Sequence, residues 1–187
     1  MFLDILFIIA LTFPVAAAST AFGSINNEQC TMNNVQRWGR NLMFALVLAL
    51  GQGLMYYLGS LLGGTFMHLL TKLSKWIIFA LCFSIFYRML MNTLKIRKGE
   101  NLYFIQNMKQ LLLLSIALGV NAFIAGLMTE FYVPFPNITP CMMIGVAFVW
   151  SVVSMMIPFS KMKLTFNSLI NFISALIILV KGFLSII

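Results

Sequence analysis

The 187-residue chain is 61% hydrophobic and 9% charged, where a soluble domain carries about 25% charged residues. No single soluble core buries that much apolar side chain, whereas a helix in lipid can be apolar on every side. The formal net charge of +8 comes from twelve Lys and Arg against four acids, and the basic residues fall in short separators between apolar runs, which excludes a nucleic-acid surface and fits the loops of a membrane protein.

Apolar runs of spanning length need roughly 17–25 residues, and six are present, so the expected fold class is an all-α polytopic membrane protein with about six transmembrane helices. The first run, 2–22, ends near Ala16-Ala17-Ala18 and imitates a signal peptide. It has no basic n-region, its one early charge is Asp4, and it is long enough to span, so it reads as a first membrane helix that is kept. Pro14 inside it reads as a tolerated kink. The separator from Ser24 to Arg40 carries two Asn pairs, Glu28, Arg37 and Arg40.

The second run, 41–63, holds Gln52 and a glycine series in which Gly59 and Gly63 form a small-xxx-small spacing, expected to serve close helix packing or dimerisation. The gap from Gly63 to Ser74 is short and still fairly apolar, the weakest of the boundaries. The third run, 75–94, contains Arg88. A charge within a span is a functional hypothesis by default, but snorkelling or capping of last-turn carbonyls explains it as well, and the expected role is structural. A basic separator follows, with Lys95, Arg97, Lys98, Glu100 and Lys109.

The fourth run, 110–130, holds Asn121. Pro134-Phe135-Pro136 then reads as a rigid extended turn. The fifth and sixth runs, 140–158 and 165–186, are separated by Lys161 and Lys163. Lys and Arg concentrate after runs one, three and five, so those loops are expected in the cytoplasm and both termini outside.

Residues Ile9-Ala10-Leu11 recur as Ile116-Ala117-Leu118 at matching places in runs one and four. If those runs correspond, the chain is two three-helix repeats, 1–94 and 110–187, joined by a basic cytoplasmic loop, 95–109. An odd number of helices per repeat makes the two inverted, a transporter signature with sites near the midplane.

Cys30, Cys82 and Cys141 are far apart without a CxxC spacing, and His68 is the one histidine. No disulfide framework, zinc site or cofactor is expected. Nor is there a catalytic constellation, since the four acids, Asp4, Glu28, Glu100 and Glu130, are scattered and no Ser/His pair is evident. An enzyme is therefore not expected.

Local patterns carry a family resemblance. They are Thr12-Phe13-Pro14-Val15-Ala16-Ala17 with Ser19 and Gly23, Leu50-Gly51-Gln52-Gly53 running to Gly59, Lys75-Trp76 followed by Tyr87-Arg88-Met89-Leu90-Met91-Asn92, and Asn121-Ala122-Phe123-Ile124-Ala125-Gly126. In segment order and pattern the chain resembles, over nearly its whole length, the manganese efflux pump family of six-helix bacterial inner-membrane exporters. The resemblance implies a bacterial inner-membrane location and a cation site on Pro14, Gln52, Asn92 and Asn121. Where the family carries acids or acid equivalents, all four residues here are neutral.

A hard divalent cation wants oxygen ligands and usually negative charge, so these positions are expected to be vestigial, with no metal held firmly. Asn121 and Gln52 read first as interhelical glue. They are also the first choices for any persisting site, with Thr12 and Ser19 as further oxygen donors. The expected function is a membrane protein with the exporter's fold that has lost cation transport and serves as a subunit or scaffold in a membrane complex. The alternative is an active small secondary transporter of Mn²⁺ or another cation. The partners implied are the lipid bilayer and protein neighbours, in a membrane complex or a homo-oligomer.

Overall fold

The structure, a computed structural model, describes residues 2–28, 34–70, 74–97, 108–129, 139–156 and 161–185. Outside them lie Cys30, most of the basic loop expected over 95–109, and the extended turn expected at Pro134-Phe135-Pro136; the His68 side chain is also outside the described residues. Six helices follow in order: α1 (Phe2–Glu28), α2 (Asn34–Leu70), α3 (Ser74–Arg97), α4 (Met108–Thr129), α5 (Pro140–Met156) and α6 (Lys161–Leu184). A chain that meets lipid must satisfy its backbone polar groups internally, and helices do this segment by segment.

All six predicted runs are helical over their described residues, and the bounds differ most at α1 and α2. The polar separator from Ser24 to Arg40 is largely helix, because α1 runs on to Glu28 and α2 begins at Asn34. At 37 residues α2 is about 55 Å long, well beyond a hydrocarbon core of about 30 Å. Apolarity sets where a helix enters lipid, and nothing in that limit stops the helix at the interface. Four described segments are long and apolar enough to cross a membrane: Trp38–Thr65, Lys75–Lys95, Met108–Thr129 and Asn167–Leu184. The apolar stretches Ile5–Thr20 and Pro140–Met156 are shorter and pack among these four.

Contacts fix the helix directions. Gly51 lies against Ser115 and Gly59 against Phe123 and Leu127, so α2 and α4 are parallel. Phe13 meets Trp150 edge-on with centroids 5.9 Å apart, and Ser19 meets Ser151, so α1 and α5 are parallel. Ser168 reaches Thr93 while Gly182 faces Cys82, so α3 and α6 are antiparallel. Thr20 pairs with Asn167 and Phe7 with Lys181, which makes α1 and α6 antiparallel too. Phe22 at the end of α1 stacks on Phe44 near the start of α2, with centroids 3.8 Å apart. Successive helices therefore alternate in direction. The starts of α2, α4 and α6 and the ends of α1, α3 and α5 share one end of the bundle, and Arg40, Lys95 and Lys109 make it basic.

The core has two apolar clusters. One, toward the end opposite the basic one, includes Phe7, Ile8, Leu11, Tyr56, Ile78, Ile85, Ala122, Met128, Met143 and Ile178. The other, toward the basic end, includes Val15, Ala18, Phe22, Phe44, Leu48, Leu111, Leu118 and Met155. Large side chains such as Leu54, Leu113, Val149 and Trp76 are exposed, as expected of helix faces that meet acyl chains.

Candidate functional site

The two clusters meet on each of three helices at a buried polar position. On α1, Leu11 belongs to one cluster and Val15 to the other, and between them stand Thr12 and Pro14, both buried. On α2, Gln52 lies between Leu48 and Tyr56. On α4, Asn121 lies between Leu118 and Ala122. Gln52 is 1% exposed and Asn121 2%. The α2–α4 seam puts these two at similar depth, since a Cβ on Gly119 would sit 3.3 Å from the carbonyl oxygen of Gly51; Gln52 follows Gly51 directly, and two residues on from Gly119 is about 3 Å along a helix.

Unmet hydrogen-bonding capacity is greatest in this layer at Gln52, although Oδ1 of Asn171 and Nε of Arg40 are also buried without partners elsewhere. Neither amide atom of Gln52 has a partner in the protein, nor has Oδ1 of Asn121. The glue expected of them is therefore missing for both Gln52 atoms and for the Asn121 oxygen. The Thr12 hydroxyl donates to the carbonyls of Ile8 and Ile9, at 3.0 and 3.1 Å, and its lone pairs remain available. Pro14 has no N–H, so the Ala10 carbonyl loses the donor a regular helix would supply. The layer thus offers neutral oxygen ligands and an amide, with no carboxylate.

The glue is elsewhere. Asn171, fully buried on α6, donates from Nδ2 to the Thr93 hydroxyl at 3.0 Å and the Met89 carbonyl at 3.3 Å. Ser168 donates to the Thr93 carbonyl, and Asn167 donates to the Thr20 hydroxyl at 3.0 Å. Ser19 and Ser151 share a 2.7 Å bond across α1 and α5. None of the residues 93, 151, 167, 168 or 171 was singled out from sequence. The signal was present in α6, where Asn167, Ser168, Asn171 and Ser174 fall at helical spacing on one face of an apolar run.

Of the four positions expected from sequence to be vestigial, the structure sets Pro14, Gln52 and Asn121 at the junction of the clusters. Asn92 is half-buried on α3, where its neighbour Thr93 makes the bonds to α6. Arg88, for which snorkelling or capping of last-turn carbonyls was expected, reaches across to the carbonyl of Ala117 on α4. Gly59 packs against the α4 backbone and thus serves packing within the chain; Gly63 is buried. Among the described residues no group of three His, Cys, Asp or Glu could hold a metal ion. An open groove of about 350 Å³ lies between α1 and α5, lined almost wholly by apolar atoms of residues such as Ile5, Ile9, Met142, Val149 and Trp150.

A bundle that is all-helical among the described residues, with four helices long and apolar enough to cross a membrane, is that of a polytopic membrane protein. A family described as "Putative manganese efflux pump" matches residues 35–186, and the chain belongs to that family. The match covers α2 to α6 and begins after α1, so the resemblance read over nearly the whole sequence is borne out from residue 35 onward. Comparison with curated proteins and with solved structures gives no match.

Proposed function

We propose that the chain is an active small secondary transporter of the bacterial inner membrane, with the Thr12–Gln52–Asn121 layer as its cargo site. The observation that carries this reading is the Gln52 amide, buried with neither atom partnered. A buried polar group without a partner costs about 1–3 kcal/mol, and a scaffold has no use for such a cost. A transporter does, because the group meets its partner when cargo is bound.

The proposed architecture is two inverted repeats, 1–94 and 110–187, around that layer, with both termini outside and the loop 95–109 in the cytoplasm. Neighbour relations support it. Exchanging α1 with α4, α2 with α5 and α3 with α6 turns the α1–α5 contact into the α4–α2 contact and α1–α6 into α4–α3. The same exchange leaves α3–α6 and α2–α5 unchanged. Inverted repeats place a site at their interface and let it face either side in turn.

Labelling tests this without knowledge of the cargo. In a chain whose Cys30, Cys82 and Cys141 are replaced by Ser or Ala, Asn121→Cys is exposed to a small membrane-impermeant thiol reagent from one side or the other. Alternating access predicts modification from both sides. Modification from neither side returns the protein to the scaffold reading.

A further inference from the structure

We infer that the layer between the two apolar clusters selects a monovalent cation over a divalent one; the inference rests on the transport reading above. The argument starts from the donor set. Gln52 Oε1 and Asn121 Oδ1 are buried amide oxygens without partners in the protein. The Thr12 oxygen keeps its lone pairs after donating its proton to backbone carbonyls, and the Ala10 carbonyl lacks its helical donor because of Pro14. All of these are oxygen ligands, and all are neutral.

Neutral oxygens are sufficient for one kind of ion. Carbonyl oxygens alone replace the hydration shell of a potassium ion in channel filters. A divalent ion is different, since the cost of dehydration rises with the square of the charge, and its protein sites ordinarily contain carboxylates. Among the described residues at the junction of the clusters none is acidic.

A second observation acts in the same direction. The Arg88 guanidinium bonds the carbonyl of Ala117, one helical turn before Asn121 on α4. Its positive field reaches a low-dielectric interior, where charges are poorly screened. It opposes any cation, but a dication twice as strongly as a monocation. The donor set and this charge together leave a singly charged cation as the ion the layer accommodates at least cost. Close glycine packing along the seam, with Gly51 on Ser115 and Gly59 on the Phe123 carbonyl, holds α2 and α4 in register and so keeps the two amides at similar depth.

The test is tracer flux by the purified full-length chain in liposomes, with radioactive sodium, rubidium and manganese measured separately against protein-free liposomes. The inference predicts sodium or rubidium flux well above background and manganese flux near it. It further predicts that Gln52→Leu cuts the monovalent flux about tenfold, the scale of one lost bond to a charged group. Gln52→Glu should shift the ratio toward manganese by supplying the missing charge. Should the leucine variant fail to fold, the wild-type ratio decides alone. Manganese flux exceeding both monovalent fluxes overturns the inference and leaves the transport reading standing. Flux of none of the three ions overturns both.

Discussion

A side-chain amide buried in a helix bundle normally binds helices together, and Asn171 does this with its Nδ2 on Thr93 and Met89. Gln52 does not, with neither amide atom partnered, and the two residues should respond oppositely to the same substitution. Asn171→Leu removes an interhelical bond and should destabilise the fold by about 0.6–2 kcal/mol. Gln52→Leu removes an unmet group and should leave stability unchanged or raise it by about 1–3 kcal/mol, while cutting transport about tenfold. Thermal unfolding of both variants in detergent, beside the wild type, reads the difference; a Gln52→Leu protein destabilised as much as Asn171→Leu would mean that Gln52 is glue after all. Gln52 and Asn121 were legible in the sequence because an amide interrupts an apolar run at a place the family resemblance marks. Asn171 was not, because an amide in an apolar run reads the same in sequence whether or not a facing helix supplies its partner. Which amide is partnered depends on how helices face one another, and single-sequence spacing does not carry that.

Helices in lipid lack a hydrophobic drive to associate and rely on close packing. The α2–α4 seam is built that way, with glycines on both sides. A Cβ on Gly59 would collide with the carbonyl of Phe123, and one on Gly126 with the carbonyl of Tyr56 and the amide nitrogen of Ser60. Backbone cannot yield as a side chain can. Gly126→Val and Gly59→Val should each cost roughly 1–3 kcal/mol or more, measurable as a lowered unfolding midpoint in detergent. Gly145→Ala, with open space around its Cβ, should leave the midpoint unchanged or raise it slightly, since Ala is the better helix former, and serves as the control. The sequence showed the small-residue spacing at Gly59 and Gly63, but it left open whether the partner was a neighbouring helix or a second chain. Helix ends were the least legible feature. Hydropathy marks where α2 enters lipid, and the helix continues past Arg40 to Asn34 on one side and past Gly63 to Leu70 on the other.

At the scale of the molecule, alternating helix directions collect the basic residues Arg40, Lys95 and Lys109 at one end, while Lys75 and Lys181 mark the other. The positive-inside bias predicts that the first end is cytoplasmic, so a reporter fused to Ile187 that fluoresces only in the cytoplasm should stay dark; a bright fusion reverses the topology. Family and helical fold were legible because hydropathy and local patterns carry them, whereas which buried side chains stay without partners depends on how the helices face one another. The account's central claim is that a competent bundle now carries a neutral cargo layer, and manganese content tests it most directly. In bacteria lacking their own manganese exporter, wild-type chain and the Pro14→Asp, Asn121→Asp double variant are each expressed, and insertion of both is verified by membrane fractionation. The account predicts that the wild type leaves intracellular manganese unchanged while the double variant lowers it. A wild-type chain that lowers manganese by itself would contradict the account.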